Sequence, residues 1–62
     1  MNASHIERTS TTWAALTLKA KGCALHAVDG GWDIEFPNGE WRAANDWREL
    51  CTVAEEAQRL FR

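Results

Sequence analysis

The segment from residue 32 to residue 43 constrains the fold most, because it has the pattern of a β-hairpin. Trp32, Ile34 and Phe36 alternate with two acidic residues, which is typical of a strand with one buried face. Asn38-Gly39 follows, and this dipeptide favours the left-handed backbone that a two-residue hairpin turn requires. The segment therefore predicts two antiparallel strands and places the core on their shared apolar face.

A two-residue turn at Asn38-Gly39 also predicts which side chains pair across the hairpin. Phe36 then lies opposite Trp41 on the apolar face, so we expect Trp41 in the core. Glu35 then lies opposite Arg42, and we expect these two side chains to form an ion pair on the polar face.

A second turn signal, Asp29-Gly30-Gly31, ends the apolar run that precedes the hairpin. If its first two residues form the loop, Leu25 lies opposite Ile34 on the same apolar face. His26 then lies opposite Asp33 on the polar face. Because two independently placed turns agree on one apolar face, the sequence predicts a three-stranded antiparallel meander.

A first helix is predicted from about Thr11 to Lys21, after a run of hydroxyl side chains suited to capping. Trp13, Leu16 and Ala20 fall on one face of this helix, and Gly22 suits its C-terminal end. A strand is the competing interpretation, since apolar residues in this segment also alternate. The alanines and the lysines before the glycine favour the helix.

A last helix is predicted from about Trp47 to Leu60. Asp46 and Glu49 resemble a capping box at its start. Apolar residues then recur at helical spacing: Trp47, Leu50, Cys51, Ala54, Ala57 and Phe61. The sequence thus predicts an α+β fold of order α-β-β-β-α, with both helices on one face of the meander, because neither apolar stripe can be buried otherwise. We expect one small domain over residues 10–62, after a disordered N-terminal tail over residues 1–9.

Composition narrows the functional classes. The formal net charge of −2 argues against a protein that binds phosphate backbones mainly by bulk charge. The sequence shows neither a signal peptide nor a membrane-spanning run, so we expect a cytoplasmic protein with no membrane association. In that compartment Cys23 and Cys51 are expected to be reduced thiols.

The residue types that carry out catalysis are present but poorly arranged. Cys23, His26, Cys51 and His5 do not match the ligand spacing of a zinc site. A pair of carboxylates on a solvated strand face offers no pocket that would perturb their pKa. We therefore expect no enzyme activity, no metal and no cofactor.

Contact with a protein partner is the leading functional hypothesis. Trp47, Arg48 and Arg42 are the first candidate contact residues, because tryptophan and arginine are over-represented at interface hot spots. His26, Asp33 and Glu35 form a second candidate surface on the polar face of the sheet. The sequence leaves open whether Trp47 is buried or exposed.

Two further hypotheses stay open. The first is nucleic-acid binding, which requires the cations to cluster on one face; these cations are Lys19, Lys21, Arg42, Arg48, Arg59 and Arg62. The second is self-association, in which a homodimer completes the small core.

The predicted order of elements resembles that of the double-stranded-RNA-binding domain. That family clamps phosphates with lysines at the start of its last helix. The matching segment here, residues 45–49, holds one arginine and two acidic residues instead.

The chain also resembles small accessory proteins of proteobacterial phages and prophages. The similarity spans Leu16 to Phe61 and consists of a short helix, a Leu-His strand with an Asp-Gly-Gly turn, an aromatic strand and an amphipathic helix. This resemblance implies a small intracellular protein that acts by binding.

Overall fold

The computed structural model describes residues 10–62 and has the predicted order of elements. These are α1 (Thr11–Ala20), β1 (Ala24–Val28), β2 (Gly31–Glu35), β3 (Trp41–Ala44) and α2 (Trp47–Leu60). The α+β prediction is therefore confirmed. The tail predicted over residues 1–9 lies outside the described residues. The described part of the chain contains no helix that is long and apolar enough to span a bilayer.

The three strands form an antiparallel meander with β2 in the centre. Both helices pack on one face of this sheet and against each other. The core lies between that face and the helices and contains Ala14, Leu18, Cys23, Ile34, Phe36, Ala44, Leu50, Cys51, Val53, Ala54 and Ala57. Trp13 and Trp32 pack against the core and are partly buried. Neither α1 nor α2 packs on the opposite face of the sheet.

Local hydrogen bonds explain where α1 begins and ends. The Ser10 hydroxyl caps the helix by accepting the N–H of Trp13 at 3.0 Å. At the other end, the N–H of Cys23 reaches back to the carbonyl of Leu18 at 3.0 Å, around Gly22. This is the Schellman arrangement, which satisfies carbonyls that the helix leaves free. The helical interpretation of this segment is thus confirmed.

The buried face of α1 differs from the predicted one. Ala14 and Leu18 are fully buried, whereas Leu16 is 52% exposed and Ala20 also faces outward. The reason is that α1 carries apolar residues on several sides, so its sequence defines the inward face only weakly. Packing against α2 selects the face that contains Leu18.

Helix α2 has the predicted bounds and a variant of the predicted cap. The Asp46 carboxylate accepts the N–H of Glu49 at 2.9 Å. The Glu49 carboxylate accepts the N–H of Asn45 at 2.7 Å, one residue before the position that a standard capping box uses. The buried stripe includes Val53, which the sequence analysis missed, whereas Trp47 is outside it.

The pairing of β1 with β2 follows the predicted register. Leu25 lies opposite Ile34 on the face that the helices cover. His26 lies opposite Asp33 on the other face. The Asp-Gly turn therefore acts as the sequence indicated.

The β2–β3 turn differs from the predicted two-residue turn. Its loop has three residues, 37–39, because the N–H of Phe36 donates to the carbonyl of Glu40 at 2.7 Å and the N–H of Gly39 donates to the carbonyl of Phe36 at 3.0 Å. Gly39 has φ +91°, and no described residue other than glycine has positive φ. This is a type I turn followed by a left-handed glycine. Pro37 favours it, since proline suits the second position of such a turn and cannot donate to a sheet ladder.

The longer loop shifts the pairing of β2 with β3 by one residue. Glu35 lies opposite Trp41, and Ile34 lies opposite Arg42. Such a shift moves every side chain of a strand to the other face. Trp41 is consequently 54% exposed, and its predicted place in the core was wrong. The predicted pair of Glu35 with Arg42 was wrong as well, because Arg42 now lies on the helix side.

We expect Leu18→Ala to lower the free energy of unfolding by about 2–5 kcal/mol, because the deletion leaves a cavity in the core. Leu16→Ala on the same helix is the matched control, and we expect it to change stability by no more than about 0.5 kcal/mol. Chemical denaturation of both variants measures the difference. Equal losses would contradict the observed orientation of α1.

We expect Gly31→Ala to destabilise the protein by more than about 3 kcal/mol. A Cβ at Gly31 would lie 2.9 Å from the carbonyl carbon of Ala44 and the Cα of Asn45, and closer still to the carbonyl oxygen of Ala44. The control is Gly30→Ala in the same turn, where a Cβ meets no atom within 4 Å. Its cost should be about 1–2 kcal/mol, from left-handed backbone strain alone. Thermal unfolding followed by circular dichroism would compare the two variants.

Candidate interaction surface

The helix-free side of the sheet is the main candidate surface. We call it the open sheet face, and it consists of Ala24, His26, Val28, Gly31, Asp33, Glu35, Trp41 and Ala43. It brings together three residues that the sequence analysis proposed as a contact surface, His26, Asp33 and Glu35. Trp41 joins them through the register shift.

An aromatic pair forms the centre of the open sheet face. The rings of His26 and Trp41 stack with their centroids 5.4 Å apart and their planes 30° from parallel. Because β1 and β3 lie on opposite sides of β2, this stack crosses the central strand. Trp41 was missed as a surface residue. The signal that could have found it was Pro37, which disfavours the two-residue turn.

The charge on the open sheet face is acidic. Asp33 and Glu35 both point to this side from β2, with their Cα atoms about 7 Å apart. The part of the chain that the structure describes places no lysine or arginine on this face. The open sheet face therefore combines an aromatic platform with two carboxylates, and among residues 10–62 the basic side chain beside them is His26, opposite Asp33.

Arg42 lies on the helix side of the sheet, apart from the residues with which it was expected to act. Its Nε and Nη2 donate to the Glu56 carboxylate at 3.0 and 2.8 Å. Nη1 donates to the carbonyl of Trp41 at 3.0 Å, and Nη2 approaches Glu40 at 3.3 Å. The guanidinium also stands 4.8 Å from the centre of the Phe36 ring. Arg42 thus connects β3 to α2 and uses its donors within the fold.

The Arg42–Glu56 contact changes the titration of both groups. The hydrogen bond from Arg42 holds the pKa of Glu56 below its ordinary value near 4.5, and burial opposes this effect. The same hydrogen bond raises the pKa of Arg42. The bidentate geometry is the arrangement in which an arginine–carboxylate pair is strongest.

Trp47 and Arg48 lie on a separate surface, at the start of α2. Trp47 is 43% exposed, which answers the question that the sequence left open. The Arg48 guanidinium lies 5.5 Å from the centre of its ring. Both residues line an open groove of about 360 Å³, together with Cys51, Thr52 and Glu55. The predicted contact residues therefore divide between the open sheet face, this groove and the internal Arg42 contact.

The two cysteines are free and buried. Burial raises the pKa of the Cys23 thiol. Burial and the nearby charge of Glu55 raise the pKa of the Cys51 thiol. Since the thiolate is the nucleophile, these environments disfavour thiol chemistry.

The described residues contain no group of three His, Cys, Asp or Glu side chains that could hold a metal ion. Cys23 is buried while His26 lies on the open sheet face, so these two possible ligands diverge. His5 lies outside the described residues. Over residues 10–62, Cys23 and His26 therefore do not share one metal site.

In comparisons with known proteins, the chain matches no family model, and neither a curated protein nor a solved structure matches it.

We expect the stabilising effect of Glu56 to disappear in acid. Its pKa is lower in the folded state, so its contribution is complete above the unfolded pKa and is lost as pH falls through the folded pKa. The melting temperature of the wild type should exceed that of Glu56→Gln at about pH 6, and the gap should shrink towards about pH 3. Thermal unfolding across this range is the measurement.

Glu55→Gln, an exposed change on the same helix, is the control. The difference in melting temperature between the wild type and Glu55→Gln should change less with pH. If the difference in melting temperature between the wild type and Glu56→Gln stays constant with pH, the role assigned to the Arg42–Glu56 ion pair is wrong.

Proposed function

We propose that this protein is a small non-enzymatic interaction module that binds another protein through the open sheet face. The observation that carries the proposal is the His26–Trp41 stack on a face that neither α1 nor α2 covers. Trp41 keeps 54% of its surface exposed in a chain with a small core. Exposed aromatic clusters on small domains are typical of binding surfaces, and tryptophan is the residue most enriched at hot spots.

Electrostatics favour a protein ligand over a nucleic acid. The open sheet face carries Asp33 and Glu35, which would repel phosphates. The start of α2 is where the double-stranded-RNA-binding domains place their lysines, and here the carboxylates of Asp46 and Glu49 accept backbone N–H groups instead. Arg42 is bound to Glu56 within the fold. These features support contact with a protein.

The proposal contains no catalytic step. The groove at the start of α2 does not include the two acidic side chains of the open sheet face, and both thiols are buried with raised pKa values. A cytoplasmic location and a relation to phage accessory proteins, both expected from the sequence, belong to the same proposal.

The test compares two exposed tryptophans on different surfaces. Trp41→Ala and Trp47→Ala proteins, each tagged, would capture partners from a cell lysate treated with nuclease. We expect Trp41→Ala to weaken capture at least about 30-fold, as the loss of a hot-spot side chain does. Trp47→Ala should retain capture, because it changes only the groove of α2.

Circular dichroism provides the folding control for both variants. The proposal is wrong if Trp47→Ala alone abolishes capture, since the groove would then be the contact surface. The same capture is repeated from a lysate without nuclease. The proposal is also wrong if material is captured only from that untreated lysate, since the ligand would then be a nucleic acid.

A further inference from the structure

We infer that the open sheet face recognises an arginine side chain on an extended segment of the partner protein. This inference rests on the proposed function and adds the chemistry of the ligand. Three observations on this face carry it: the exposed indole of Trp41, the carboxylates that flank it, and the distribution of basic residues over the described fold.

The aromatic platform suits a planar cation. Trp41 stacks on His26 and remains 54% exposed, so part of its π-surface is free to contact a ligand. A guanidinium stacks on an indole face through its plane as well as its charge, which an ammonium cannot do. The tryptophan side chain also gives the strongest cation–π attraction among the aromatic residues.

The carboxylates complement this cation. The stack crosses β2, the strand that carries Asp33 and Glu35 on the same face. A guanidinium placed against Trp41 would therefore lie beside two carboxylates whose Cα atoms are about 7 Å apart. A charge-assisted, bidentate hydrogen bond to one of them adds both affinity and direction.

The chain already binds a guanidinium in this way on the other side of the sheet. Arg42 lies over the Phe36 ring and between the carboxylates of Glu56 and Glu40. The open sheet face offers the same three components, an aromatic ring and two acidic groups. Among the described residues, no lysine or arginine of the chain itself occupies that position.

The charges of Asp33 and Glu35 disfavour a second copy of this chain as the ligand of the open sheet face. Two open sheet faces packed against each other would bring two pairs of Asp33 and Glu35 together, and like charges at an interface are costly. A partner segment with a positive charge relieves this repulsion. In the described sheet β1 and β3 are the edge strands, and an extended segment can pair with such an edge beside this face.

The test uses three short peptides that share one Ser/Thr/Val sequence and differ only at the central residue, which is arginine, lysine or citrulline. Citrulline keeps the planar shape of arginine without its charge. Each peptide is titrated into the whole protein labelled with ¹⁵N, and binding is followed at the four tryptophan indole N–H signals. Loss of one signal in Trp41→Phe assigns that of Trp41.

We expect the arginine peptide to shift the Trp41 indole signal and the amide signals of Asp33 and Glu35. The citrulline peptide should bind at least about tenfold more weakly, and the lysine peptide should fall between the two. The double variant Asp33→Asn, Glu35→Gln should bind the arginine peptide about tenfold more weakly than the wild type. Glu55→Gln on α2 should bind this peptide as tightly as the wild type. Salt should weaken binding, since the contact is exposed.

Equal binding of the arginine and citrulline peptides would overturn the inference, as would shifts confined to the Trp47 indole signal. Shifts of the Trp41 signal with protein concentration alone would overturn it in favour of self-association. Failure of this inference is distinct from failure of the proposed function. If Trp41→Ala abolishes capture of a protein partner while no arginine peptide binds, the surface is right and its ligand chemistry is wrong.

Discussion

The three-residue loop between β2 and β3 determines which side chains of β3 lie on each face of the sheet. Pro37 has a restricted φ and no amide hydrogen, so it fits the second position of a type I turn and does not fit a paired ladder. Gly39 takes the positive φ that follows this turn. The loop thereby sets the register of β3, and strand alternation transmits that register to every side chain of the strand.

The internal ion pair and the candidate binding surface both depend on this register. Arg42 reaches Glu56 and Phe36 because it lies on the helix side, where it ties β3 to α2. Its neighbour Trp41 must then point away from the helices, where it meets His26. One turn thus places Arg42 in contact with the second helix and exposes the aromatic side chain that we propose binds a partner.

Local signals predicted much of the fold and part of the candidate site. The bounds of α2 were predictable because a carboxylate cap precedes a clear apolar stripe. The Asp-Gly turn correctly placed His26 opposite Asp33 on the polar face. Trp41 could not be placed from the Asn-Gly pair alone, since that pair occurs in hairpin loops of two and of three residues. The exposure of Trp47 was also undetermined, because a helix start lies at the edge of the core.

The sequence by itself determined the kinds and order of the elements, because turns, caps and the periodicity of apolar residues act over a few neighbouring positions. Only the tertiary structure decided which side of α1 faces inward, and it showed that the loop length favoured by Pro37, not the two-residue turn, sets the inward side of β3. For α1 the reason is that apolar residues lie on several sides, so contact with α2 made the choice. For β3 the reason is that side chains alternate between the two faces of a sheet with a period of two. One additional loop residue therefore moved each side chain of β3 to the face opposite the predicted one.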